Sequence, residues 1–306
     1  MLHGRLILLA ALIGCATLIP AANAQVADLP PREPSPLSVR QIHSGHSLTD
    51  TYMSHPWPGR LVLATRATPG GEDAQDTIAT STIPGAPLHW RWRHEPGHGK
   101  PDARSDIGDY ELLVTTEAVP LSPSPEDFAA NTLDQIEKWV RNTWEHGNRG
   151  RGAEFMLYST WVHWPTPEEG AAAAGGGLPF RRQLEREGKK WERMQDHANA
   201  VRPAGMPPVY MIPGHRLMMR IHDDIRTGRA PDLDHISDIF ADDIHPNDMG
   251  RYAVTCLVYA VIYQRDPRSL PDKLADPEDT LSTAQARYFK ETAWEVARNY
   301  DRAGLR

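Results

Sequence analysis

LSVRQIHSGHSLTD, residues 37–50, passes from an alternating apolar run through a glycine into residues that open a helix. Leu37 to Ile42 reads as a first strand, and a helix starting near Leu48 breaks around Pro56-Trp57-Pro58. The same strand-then-helix rhythm continues along the chain. Thr77 to Ile83 is a weaker strand ending at Pro84-Gly85, and Tyr110 to Thr115 (YELLVT) is a buried one. Pro125 to Trp144 has helical spacing, with Phe128, Thr132, Ile136, Trp139, Val140 and Thr143 near one face. Glu154 to Val162 and Pro208 to Ile212 are further strands, separated by an amphipathic helix over Leu178 to Val201. Asp248 to Gln264 is a helix apolar nearly all round, hence buried. This alternation predicts an α/β fold, a three-layer α/β/α sandwich around a mostly parallel sheet.

At 306 residues the chain is long enough for a sizeable core, and 40% hydrophobic with 24% charged residues fits a folded globular protein. Lys plus Arg number 33 against 40 Asp plus Glu, a net charge of −7, which argues against a nucleic-acid partner. Residues Met1 to Ala24 read as an export signal: Arg5, an apolar run from Leu6 to Ile19, and the small-x-small ending Ala22-Asn23-Ala24. That run is too short for a stable membrane span of about 20 residues. Leu12-Ile13-Gly14-Cys15 resembles a lipobox, which would leave a lipid anchor at Cys15; cleavage after Ala24 would release the protein to the periplasm or beyond. Residues 25–36 are proline-rich and read as a linker to one domain over 37–306. The two cysteines form no disulfide framework, and Cys256, in an apolar stretch, reads as inert filling. Gly170 to Gly177 reads as a loop, and charge runs such as Glu185 to Glu192 as a solvated helix face.

Ligands of an open α/β sheet bind beyond the carboxyl ends of its strands. That rule selects the loops after Ile42, Ile83, Val114, Val162 and Ile212. In the first, Gly45 allows a tight turn and Ser47 stands where strand gives way to helix. There a hydroxyl is exposed and its own N–H is an unpaired donor, the needs of a nucleophile and its oxyanion. A serine in that place also serves simply as a helix cap. The second constellation is Asp242-Asp243-Ile244-His245-Pro246-Asn247, before a helix. Asp and His three apart curl so that the carboxylate of Asp242 meets the imidazole of His245, ready to take and return the Ser47 proton. Alone, that spacing also fits a structural cap; the two loops together favour a serine hydrolase.

Gly45-His46-Ser47-Leu48-Thr49-Asp50 resembles the first block of the SGNH (GDSL) hydrolases, and Asp242-Asp243-Ile244-His245-Pro246-Asn247 resembles their last. The resemblance implies a flavodoxin-like sheet and ester hydrolysis without a cofactor. It implies Ser47 as nucleophile, His245 as base and Asp242 as its orienting acid. Gly85 falls where the family's second block offers a backbone N–H to the oxyanion, though an ordinary turn fits it equally. Two residues depart from the pattern. His46 replaces the usual aspartate before the nucleophile, and Thr115-Thr116-Glu117-Ala118 stands where the third block has Gly-x-Asn-Asp. Asparagine donates to an oxyanion, whereas an ionised glutamate only accepts. Glu117 is therefore expected to line the pocket, protonated and donating, facing a substrate hydroxyl, or paired with His46.

Trp90 follows the Gly85 turn, and Trp161, His163 and Trp164 follow the fourth strand, at the same predicted end. Indole faces near an ester site suit sugar rings, although tryptophans mostly fill cores. The expected activity is removal of O-acetyl or other short acyl groups from a small-molecule or glycan ester. The alternatives are a short-chain esterase or lysophospholipase, or a decayed glycan-binding protein. A metal site built from His43, His46, His163 and His245 lacks the H-x-x-x-H spacing, so no metal is expected. Neither G-x-G-x-x-G nor G-x-x-x-x-G-K-[ST] occurs, against a nucleotide enzyme.

Overall fold

The computed structural model describes residues 29–53, 57–121, 131–165, 178–272 and 281–305. The expected export segment with Cys15, Pro56, residues 125–130 and the loop expected over Gly170–Gly177 lie outside the described residues.

Five parallel strands form the sheet: β1 (Gln41–Gly45), β2 (Ile78–Thr82), β3 (Leu112–Thr115), β4 (Glu154–Ser159) and β5 (Tyr210–Pro213), in the order β2-β1-β3-β4-β5. That order is the flavodoxin-like one, with the direction of winding reversed between β1 and β3. The helices are α1 (Ser47–Met53), α2 (Trp57–Ala64), α3 (Leu88–Arg93), α4 (Thr132–Gly150), α5 (Phe180–Val201), α6 (Gly214–Arg226), α7 (Asp248–Tyr263) and α8 (Thr283–Arg298). Helices α1, α2, α7 and α8 pack on one another, as do α3, α4 and α5, while α6 touches both α5 and α8. The molecule is thus an α/β/α sandwich, with β1, β3 and β5 buried along their whole length, β4 from Phe155 on, and the edge strand β2 at Ser81 and Thr82.

Helix α7 is enclosed as its composition requires. From Tyr252 to Tyr263 every residue is buried, against α1, α2, α8 and β5. Cys256 is fully buried there, and burial pushes its thiol up to about 12, which leaves it inert.

The first strand begins later than its apolar residues suggest. Residues 37–40 lead in, and the ladder runs over Gln41–Gly45 because its polar side chains find partners inside. Gln41 Nε2 donates to Tyr263 Oη (2.6 Å), while His43 bonds Tyr52 Oη (2.7 Å) and Gln41 Oε1 (2.8 Å). Helices α2 and α3, and the pair α6 and α8, are absent from the apolar-spacing reading. Helix α8 carries a readable signal, a capping box in which Ser282 accepts from Gln285 N–H (3.2 Å) and Gln285 Oε1 accepts from Ser282 N–H (3.0 Å).

Residues 29–36 are not a free linker. Arg32 is buried, grips Glu154 with two hydrogen bonds (2.5 and 2.7 Å) and donates to Ile262 O (2.7 Å), closing this segment onto β4 and the end of α7. Among the described residues no helix is long and apolar enough to cross a membrane.

Candidate active site

Gly45 ends β1, and its missing side chain is what lets the chain turn. A Cβ there would lie 1.9 Å from Thr49 Oγ1, inside the first turn of α1. His46 then caps α1. Its carbonyl accepts from Thr49 N–H (2.8 Å), its Nδ1 accepts from Leu48 N–H (3.3 Å), and its Nε2–H donates to the backbone carbonyl of Glu117 (3.1 Å). Burial, reinforced by the nearby Arg91 charge, pushes this imidazole down to about 4, so it works as a neutral cap. Ser47, half-buried, is the first residue of α1, and its N–H has no hydrogen-bond partner among the described residues.

The neighbouring strand end supplies a second turn. Ile83 N–H donates to Gly45 O (3.1 Å), and Ala86 N–H donates back to Ile83 O (3.1 Å). Pro84 and Gly85 lie between, with Gly85 at φ +68°, the arrangement of a type II turn. The space where a Gly85 side chain would stand is open, and the Gly85 N–H likewise has no partner among the described residues.

The chain between α6 and α7 brings the remaining groups. Ala241 N–H donates to His245 O (2.8 Å), and a bridge between Phe240 and Pro246 closes a short loop. Asn247 then caps α7, accepting from Met249 N–H (3.0 Å). Gly250 lets this loop sit against the helix, since a Cβ would meet Ile239 O at 2.5 Å. Within the loop Asp242 Oδ1 accepts from the N–H groups of Ile244 (2.9 Å) and His245 (2.7 Å). Its Oδ2 meets His245 Nδ1 at 2.7 Å, and His245 Nε2 lies 2.8 Å from Ser47 Oγ. Partial burial alone would raise the Asp242 pKa; those donors outweigh it and bring the carboxyl down to about 2.

No family model matches this chain, and no curated protein matches it. The arrangement is therefore read from its geometry. A hydroxyl, an imidazole and a carboxylate stand in one hydrogen-bonded line, with one ring nitrogen facing each oxygen, beside the Ser47 N–H at the carboxyl end of the sheet, which also carries the Gly85 turn. Such a line can move a proton off the hydroxyl and hold the resulting imidazolium.

Three expected contacts, those of Glu117, His46 and Trp161, are corrected. Glu117 does not line the pocket, because it is fully buried and its carboxylate is occupied. Oε1 accepts from the N–H groups of Leu88 (2.9 Å) and Ala118 (2.8 Å), and Oε2 from Thr132 Oγ1 (2.8 Å). Its carbonyl, not its carboxylate, meets His46, which is itself buried as a cap. Trp161 is fully buried, and its Nε1–H donates to Ile244 O (2.8 Å). Trp164 Nε1–H donates to Asp242 O (2.7 Å), and its backbone N–H donates to Asp243 O (3.0 Å). These two tryptophans therefore brace the Asp242–His245 loop. The pattern that pointed at them, aromatics just past a strand end, was right about place and silent about partner. His163 is half-exposed, 3.7 Å from Asp243. Trp90 remains open to solvent at 46%, stacked on His94 with ring centroids 3.8 Å apart. Among the described residues no cluster of His, Cys, Asp and Glu has a metal-holding arrangement, and His43 and His46 are engaged elsewhere.

Proposed function

We propose that this chain is an exported serine ester hydrolase of the SGNH type, acting on O-acetyl or other short acyl esters of a carbohydrate. The observation that carries the reading is the 2.8 Å contact between Ser47 Oγ and His245 Nε2, with Asp242 at 2.7 Å on the far ring nitrogen. Ser47 Oγ attacks the ester carbonyl as His245 Nε2 takes its proton. The N–H groups of Ser47 and Gly85 receive the negative oxygen of the tetrahedral intermediate. His245 returns the proton to the leaving alcohol, and a water activated by the same imidazole hydrolyses the acyl-serine. Asp242 keeps Nδ1–H pointed at itself and stabilises the imidazolium. The proton taken from that water passes through His245 back to Ser47 Oγ, and the acyl group leaves as the carboxylic acid. The carbohydrate part of the reading is supported by Trp90, whose exposed ring stands on α3 just past the Gly85 turn.

Hydrolysis of p-nitrophenyl acetate and labelling by a fluorophosphonate test the reading. Wild type should do both, and Ser47→Ala should lose at least about 10³-fold in rate and all labelling. Equal activity in the two proteins would exclude it. Trp90→Ala should raise KM for an acetylated polysaccharide while leaving p-nitrophenyl acetate turnover unchanged.

A further inference from the structure

Arg91 and Glu117 are the charged residues buried deepest beside the candidate site, and the proposed chemistry uses neither. Arg91 lies on α3, just after the Gly85 turn, and Glu117 lies just past β3. Arg91, one turn into α3, is 3% exposed and spreads its donors over four acceptors. Nε donates to Ala86 O (3.2 Å), Nη1 to Ser44 Oγ (2.7 Å) and Thr115 Oγ1 (3.1 Å), and Nη2 to Thr116 O. Glu117 holds the N–H of Leu88, the first residue of α3, together with that of Ala118 just past β3. Between them the two side chains tie the turn's last residue, the start of α3, the end of β1 and the end of β3 into one frame. Ser44, three residues before Ser47, lies on that frame.

Burying a charge is costly unless it is paired and hydrogen-bonded, and an apolar pair of similar volume is often as stable. The benefit here is directional. Charge-assisted hydrogen bonds fix backbone positions more firmly than neutral ones, and an oxyanion site depends on donors already in place before charge develops. We propose that Arg91 and Glu117 are positioning residues that set the Gly85 N–H against the Ser47 N–H. They would do by bracing the backbone what a side-chain amide after β3 would do by direct donation. Neither residue touches substrate. The proposal rests on the hydrolase reading above.

The test compares Glu117→Gln and Arg91→Met with wild type on p-nitrophenyl acetate, and measures binding of phenylboronic acid, which becomes tetrahedral and anionic on the serine. Folded variants, checked by circular dichroism and urea midpoint, should lose about 10- to 100-fold in kcat. KM should stay within about threefold, and boronate affinity should fall by the same factor as kcat. Should either variant fail to fold, Ser44→Ala, which removes only one Arg91 acceptor, carries the same paired expectation at about threefold to tenfold. Folded variants with wild-type kcat, or with a kcat loss and unchanged boronate affinity, overturn the brace. Failure of the underlying reading looks different: Ser47→Ala would then hydrolyse p-nitrophenyl acetate as fast as wild type.

Discussion

The segment ahead of Ser47 and the segment around His245 meet within hydrogen-bond distance but rest on different supports. From Gln41 to His46 every residue is buried, on an inner strand of the sheet. Ser47 is therefore placed by packing, by a glycine with no room for a side chain, and by a neutral histidine cap. Ala241, Asp242 and Asp243 are exposed, and their loop has little core of its own. It is held by hydrogen bonds, from Trp161 and Trp164 on one side and from within itself on the other. The difference teaches where each half is vulnerable. Disturbing the first should appear chiefly as lost stability, and disturbing the second chiefly as lost rate.

The largest expected effect is on the loop. Asp242→Asn keeps an acceptor for the N–H groups of Ile244 and His245 but removes the charge that steadies the imidazolium. It should lower kcat for p-nitrophenyl acetate by about 10³- to 10⁴-fold while the unfolding midpoint barely moves. A loss under tenfold would break the comparison.

Acid should strike the buried strand ahead of Ser47 together with the start of α6, where His215 is buried as well. Burial pushes His43 and His215 down to about 3 and His46 down to about 4, from an ordinary 6.5. A base whose folded value is lowered contributes stability that is present above the unfolded value and lost as pH falls toward the folded one. Urea midpoints should hold above pH 6.5 and then drop between pH 6.5 and 4, with a limiting slope of roughly 4 kcal/mol per pH unit for the three rings together. The Asp242 carboxylate, at about 2, stays charged through that window. A flat midpoint down to pH 4 would mean that these rings are not held neutral.

Gly45→Ala comes next. Its Cβ would collide with Thr49, so it should cost about 1–3 kcal/mol in urea denaturation by overpacking. A neutral result would show that α1 shifts freely and that packing does not place Ser47.

Trp164→Phe should have the smallest effect. It removes one donor to Asp242 O from a partly exposed ring, for about a threefold to tenfold loss in kcat and under about 1 kcal/mol of stability. A larger loss of stability than of rate would place Trp164 in the core instead.

Much of this molecule is legible in one dimension. The strand-helix alternation, the buried helix after Asn247, and the Asp-x-x-His spacing are local patterns, and local patterns survive without knowledge of partners. What misleads is polarity that a distant residue satisfies. His43 looks wrong for a strand until Tyr52 and Gln41 meet it. Glu117 looks like a pocket carboxylate until Leu88 N–H, 29 residues earlier, occupies it. Trp161 looks like a sugar platform until it is found fully buried, its N–H on Ile244 O, 83 residues later.

By itself, then, the order of residues determined the sandwich, the end of the sheet that carries the candidate site, and the choice of Ser47, Asp242 and His245 as side chains that would meet there. Only the tertiary structure decided which buried polar groups face a substrate and which hold the backbone, because every buried donor or acceptor must find a partner and those partners are far away in the chain.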